Sequence, residues 1–195
     1  MLYSLLRAKM ELHAQDSHHR TKPIEFPRRQ HALFRRIQWM TWVLIAGIAL
    51  AGVTALPLQK ELDVAARLLG VTDQASATSG FAKWIVLVRN GLHDTYAKHP
   101  FMGYGTDWLA FGHIVIAIAF VGALRHPLGN SWLFTWGMIT CVLVIPWALI
   151  CGEVRGIPMW WRFIDCSFGV AGFVPCWLAA RWCRELERLK IVNTH

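Results

Sequence analysis

The sequence predicts an all-α membrane protein with four transmembrane helices, one further amphipathic helix at the outer interface, and both termini in the cytoplasm. Three observations point there. Long stretches carry no charge, the basic residues divide unevenly between alternate connecting segments, and tryptophans gather where the stretches end.

Only 16% of the 195 residues are charged and 55% are hydrophobic, whereas a soluble domain carries about a quarter charged residues. No Lys, Arg, Asp or Glu occurs from Ile37 to Gln59, from Trp108 to Leu124 or from Pro127 to Gly152, and between Arg162 and Arg181 the one formal charge is Asp165. A helix crosses a hydrocarbon core of about 30 Å with about 20 residues, and roughly 17 is the minimum. All four stretches qualify. The expected spans are 37–56, 108–124, 132–151 and 158–182, inside a transmembrane domain of 37–185. A basic cytoplasmic arm (1–36), an outer segment (57–106) and a cytoplasmic tail (186–195) complete the chain.

A net charge of +8 and a pI near 9.7 raise the question of nucleic acid, and topology answers it. With the N-terminus inside, the cytoplasmic segments hold 13 Lys/Arg and the outer ones seven, while the acids divide five inside and seven outside. The whole net charge then sits on the cytoplasmic side, as the positive-inside rule requires. No basic patch is left for nucleic acid to explain. A cleavable signal peptide is not expected either, because the first apolar run begins only at Ile37 and is longer than an h-region.

In the arm, Leu2, Leu5, Leu6 and Met10 suggest a short surface helix. Span one stops at Pro57 and carries Gly47, Ala51 and Ala55 at every fourth residue, a small-residue ridge suited to close helix approach or self-association. In the outer segment, residues 81–97 read as an amphipathic helix with Phe81, Trp84, Ile85, Val88 and Leu92 on one face, against the interface. Thr106 is the expected N-cap of span two, with Asp107 in its first turn. Asn130 or Ser131 would cap span three, which Pro146 interrupts; Pro158 suits the start of span four, which bends at Pro175. Trp108, Trp160 and Trp161 fit an outer aromatic belt, and Trp132, Trp177 and Trp182 an inner one.

Polarity of an unusual kind gathers at the outer ends of spans two, three and four. Asp107, His113, Glu153, Arg155, Arg162 and Asp165 lie there, with His93 close by in the outer segment, and these seven are the candidate ligand-binding residues. Helix rise places Asp165 about 5 Å and His113 about 9 Å inside the boundary. An ionisable group at such depth is costly unless it is paired or faces water, so it is a functional candidate by default. The expected partners of Asp165 and His113 are Arg162, one turn from Asp165 on the same helix, and Arg155 and Glu153 in the adjacent turn. If the site is catalytic, His113 or Asp165 serves as general base and Arg155 or Arg162 as the clamp. The plainer readings are a helix cap for Asp107, a structural pair for Arg162 with Asp165, and an interhelical hydrogen bond for His113.

Metal ligation is a weak alternative through His93, His99 and His113, whose spacing matches no zinc pattern. A bis-histidine haem is disfavoured, since the spans contain only His113. The five cysteines form no CxxC; Cys151 and Cys166 both fall near the outer boundary, where a disulfide is conceivable.

Two strings, Tyr104-Gly105-Thr106-Asp107-Trp108-Leu109-Ala110-Phe111-Gly112-His113 and Gly156-Ile157-Pro158-Met159-Trp160-Trp161-Arg162-Phe163-Ile164-Asp165-Cys166-Ser167-Phe168-Gly169, resemble small multi-pass bacterial inner-membrane proteins with no activity attached. That resemblance implies no reaction, cofactor or partner. The expectation is a membrane-embedded binding module, or an accessory subunit of a larger membrane complex, with its polar site on the non-cytoplasmic face. A membrane enzyme acting on a lipid, quinone or thiol is second, and an oligomeric transporter third.

The topology has a direct test. Alkaline phosphatase fused after Asp94 or after Arg155 should be active, and fused after Arg125 or Val192 inactive; the opposite pattern would invert the orientation.

Overall fold

The computed structural model describes residues 28–71, 73 and 75–192. The expected surface helix near Leu2–Met10 lies outside them. The described chain is helical with no strand. Its elements are α1 (Arg28–Ala55), α2 (Leu58–Leu68), α3 (Gly80–Lys98), a 3₁₀ turn (Pro100–Gly103), α4 (Tyr104–Arg125), α5 (Ser131–Val154) and α6 (Met159–Val192). α1, α4 with its leading turn, α5 and α6 are each long and apolar enough to cross a membrane. Their number matches the sequence reading. In apolar surroundings a helix is the economical solution, because it satisfies its backbone polar groups within one segment.

Several local expectations need correction. α1 begins well before Ile37, so residues 28–36 of the expected arm are helical. α6 runs ten residues past Trp182, because Leu186 and Leu189 recur at helical spacing and pack against α1. Thr106 caps nothing: α4 already starts at Tyr104, and the Thr106 hydroxyl donates to Gly103 O at 2.7 Å. Asn130 flanks α5 without capping it; its Nδ2 donates instead to Gly122 O and His126 O, tying down the α4–α5 turn. All five cysteines are free, Cys151 and Cys166 included.

The segment 57–106 holds two helices where one was expected. α2 and α3 form a hairpin around Leu62, Ala66, Ala82, Ile85 and Val86. Val86, which breaks the expected amphipathic pattern, is fully buried here, while Phe81 is largely exposed. The partner that buries Val86 is α2 rather than an interface. Ser79 caps α3, its hydroxyl accepting from Ala82 N at 3.1 Å.

The four long helices pack as two antiparallel pairs, α1 with α4 and α5 with α6, joined through α1 and α6. Both pairs close on small residues. A Cβ on Gly52 would stand 2.7 Å from His113 Cβ, and one on Gly169 would stand 2.6 Å from Cys141 O. Gly137 and Gly172 meet Cys176 and Cys141 in the same way. Small residues at these crossings let backbones approach closely, the main source of helix association in lipid. The ridge Gly47, Ala51 and Ala55 is not the one used: Gly47 has nothing within 4 Å of a would-be Cβ, and Ala51 is exposed.

The joint between the pairs covers only half their length. The shared core holds Leu33, Ile37, Leu44, Phe120, Phe134, Ala179, Cys183 and Leu186, all at the end that carries the α4–α5 turn. On α1 the stripe through Leu33, Ile37 and Leu44 continues at helical spacing to Ala51 and Ala55; on α6 the stripe through Leu186, Ala179 and Pro175 continues to Phe168 and Ile164. The core members are buried, yet Ala51 is exposed and Phe168 is 67% exposed. These faces of α1 and α6 are therefore uncovered toward the hairpin end, and the space between them is the candidate cleft.

Gly169→Ala should lower the unfolding free energy in detergent by about 1–3 kcal/mol, since the new methyl meets main chain and Val144 Cγ1 at 2.8 Å. Gly47→Ala, set in open space, should be neutral or stabilising by up to about 1 kcal/mol. Equal effects in thermal unfolding would contradict this account of the pairing.

Candidate functional site: a cleft between two helix pairs

The hairpin spans the open end of the cleft. Its base is continuous with α1 and α4, and Tyr96 of α3 packs its ring on Gly103. The other end of α3 reaches α6, where Phe81 meets Trp160 at 5.6 Å and Trp84 meets Trp161 at 6.3 Å between ring centroids. One element thus bridges both pairs, and two of the expected belt tryptophans serve as its docking post.

The hairpin's polar face is organised by Asp63. Arg89 Nε donates to Asp63 Oδ1 at 2.5 Å, and His93 Nε2 lies 3.1 Å from the same oxygen. Arg89 and His93 are four residues apart, which puts both on one face of α3. Sequence reasoning named His93 but missed Asp63 and Arg89. The i,i+4 spacing was visible; the acid was not, because α2 had not been recognised as a helix.

Arg162 is buried, with 7% of its surface exposed. Its stem lies over Gly152, where any Cβ would be 2.7 Å from Arg162 Cδ. Its Nε donates to Ile157 O at 2.7 Å and its Nη1 donates to Glu153 Oε2 in a short, charge-assisted bond. Gly156, at φ +66°, makes this possible by turning the chain after α5 so that Ile157 presents its carbonyl to α6. Arg162 therefore locks the α5–α6 turn, and Glu153 is its partner.

This arrangement separates Arg162 from Asp165, contrary to expectation. The slot over Gly152 draws the guanidinium to the α5 side, while Asp165 stands one turn along and about 60° round the helix. Asp165 is half-buried and has no hydrogen bond or ion pair among the described residues. It shares a stripe with Gly172, Cys176, Ala179 and Cys183, and the last three of these are buried in the shared core. Asp165 thus stands on α6 beside the face that meets α5 at Gly172 and Cys176, next to the exposed stripe of Phe168 and Ile164.

His113 occupies the corresponding place on α4, above Ala117 and Phe120, which enter the core. Its Nδ1 is 2.8 Å from Leu109 O. A carbonyl only accepts, so Nδ1 carries the proton and donates this bond, which leaves Nε2 as the ring nitrogen open to a ligand. Depth can be compared through α1. Gly52 lies against His113, and Arg36 stacks over Trp182. Sixteen residues along α1 from Arg36, and sixteen back along antiparallel α6 from Trp182, bring Gly52 about level with Cys166. His113 and Asp165 therefore stand at about the same depth, one on each pair.

The remaining candidates fall elsewhere. Asp107 is exposed on α4 beside a shallow hollow with Tyr104, Trp108 and Phe111. Arg155 is exposed in the α5–α6 turn. His99 follows α3 and packs on Phe101, 5.8 Å away. His93, His99 and His113 are not gathered, and no group of three or more His, Cys, Asp or Glu suited to a metal occurs among the described residues. The seven expected ligand-binding residues thus divide into the lock of Arg162 with Glu153, one hairpin residue in His93, two exposed positions in Asp107 and Arg155, and the pair Asp165 and His113 at about one depth.

No protein-family model matches this chain, and no curated protein or solved structure matches it either.

The Asp63 cluster makes the hairpin acid-sensitive. The hydrogen bond from Arg89, helped by His93, holds the Asp63 carboxyl below its ordinary value. A depressed folded pKa gives a contribution that is complete above the unfolded value of about 3.9 and is lost as the pH falls through the lower folded one. Hydrogen exchange of residues 58–98 should accelerate across that acid window in the native protein. Asp63→Asn should abolish the pH dependence and leave exchange fast throughout; a profile unchanged by the substitution would remove Asp63 from this role.

Proposed function

We propose that this chain is a binding module of a bacterial inner membrane, with both termini in the cytoplasm and the hairpin on the non-cytoplasmic side. Its cleft takes an amphiphile whose tail lies between α1 and α6 and whose head group sits beneath the hairpin. One observation supports the proposal: the Asp165 side chain, at about the depth of His113, makes no hydrogen bond or ion pair among the described residues. An unpaired acid at that depth costs free energy unless a ligand or water satisfies it.

The chemistry narrows the ligand. A carboxylate and an imidazole Nε2 are both acceptors, so the head group must donate, as a quinol hydroxyl or a lipid ammonium does. The small residues Ala51 and Ala55 leave room for an alkyl tail. An accessory-subunit role fits the same opening, with a partner's helix as occupant. The enzymatic reading draws on the same two groups as bases; of its two expected clamps Arg162 is engaged by Glu153 and Ile157, while Arg155 is exposed in the α5–α6 turn.

Extraction into polymer nanodiscs followed by mass spectrometry of the bound small molecules tests the proposal. The native protein should retain a quinol or an amine-headed lipid. Ala51→Phe, which fills the cleft, and Asp165→Leu, which removes one acceptor, should each lower occupancy about tenfold or more, the cost of one charge-assisted hydrogen bond. Equal occupancy in all three proteins, or copurification of a protein subunit in place of any amphiphile, would overturn the amphiphile reading.

A further inference from the structure

The opposite end of the bundle carries a second site that takes no part in the cleft. A hollow of about 610 Å³ opens around α1 between the end of α4 and α6, and Arg35, Arg36, Gln38, Trp39, Trp42 and Trp182 line most of it. That volume lies within the range of small-molecule sites. Its polarity is layered along α1. Arg35 and Arg36 come first, and Trp39 and Trp42, 66% and 52% exposed, stand one to two turns deeper into the apolar stretch. The Arg36 guanidinium lies over the Trp182 ring, 6.0 Å from its centroid, which holds it at the rim.

Charge is left over at this rim. Glu185 of α6 is taken by Arg29, 2.6 Å away. Neither Arg35 nor Arg36 forms an ion pair among the described residues. Two cations above two indoles match one kind of occupant, an anion attached to an apolar chain. Scattered surface arginines of the positive-inside kind need no concave, indole-floored hollow; this one has both.

We propose that this hollow binds one anionic phospholipid of the adjoining leaflet, its phosphate between Arg35 and Arg36 and an acyl chain along Trp39 and Trp42. The lipid here is recognised by charge, unlike the donor-bearing ligand of the cleft, and neither site requires the other.

Native mass spectrometry and thermal unfolding of the full chain, with phosphatidylglycerol and phosphatidylcholine of identical acyl chains, test the assignment. Phosphatidylglycerol should bind about tenfold or more tightly than phosphatidylcholine and raise the melting temperature, given the attraction of two arginines near a surface. Arg35→Gln with Arg36→Gln should erase that preference, and Arg35→Lys with Arg36→Lys should restore most of it as point charges. Equal binding of both lipids by the native protein would overturn the proposal without any variant. So would a preference that survives the glutamine pair, or stabilisation by inorganic phosphate alone that matches phosphatidylglycerol, which would mark a site for a soluble anion.

Discussion

The architecture depends on the contact between α1 and α6 and on its stopping halfway. Ile37, Leu44, Ala179 and Cys183 close two antiparallel helix pairs into one body at a single end. In lipid there is no hydrophobic drive to continue that seam, because an exposed leucine is as well solvated by acyl chains as by another helix. The seam extends only as far as shape complementarity extends it. Beyond Ile48 the α1 face turns to alanine and glycine while α6 offers the exposed Ile164 and Phe168.

That uncovered end gives the hairpin its place. α2 is too short to span and α3 too polar, yet they have a core of their own around Val86. Stacking of Phe81 and Trp84 on Trp160 and Trp161 ties the far pair to the near one across the open end. Arg162 stiffens the post on which the hairpin rests. Its buried guanidinium is tolerable because Glu153 and Ile157 O satisfy it, and because Gly152 yields the room that its stem occupies.

Two polar sites of opposite character follow from this frame. The hairpin end places Asp165 and His113 at about one depth in apolar stretches of α6 and α4. The other end presents donors, Arg35 and Arg36, above indoles. Each lies where one helix of a pair is incompletely covered by its neighbours.

The sequence by itself determined the number of helices long and apolar enough to cross a membrane and the alternation of basic and neutral connections. It also marked Asp165, His113 and Arg162 as polar groups out of place. These are one-dimensional quantities: hydropathy, spacing and charge along a chain whose solvent is apolar. Only the tertiary structure decided that Arg162 pairs with Glu153 rather than Asp165, that Gly52 rather than Gly47 meets another helix, and that Asp63 joins Arg89 and His93. Those outcomes rest on the rotation of each helix about its own axis and on which neighbour it meets. In a bilayer that choice is made by close packing between particular surfaces, which hydropathy does not record.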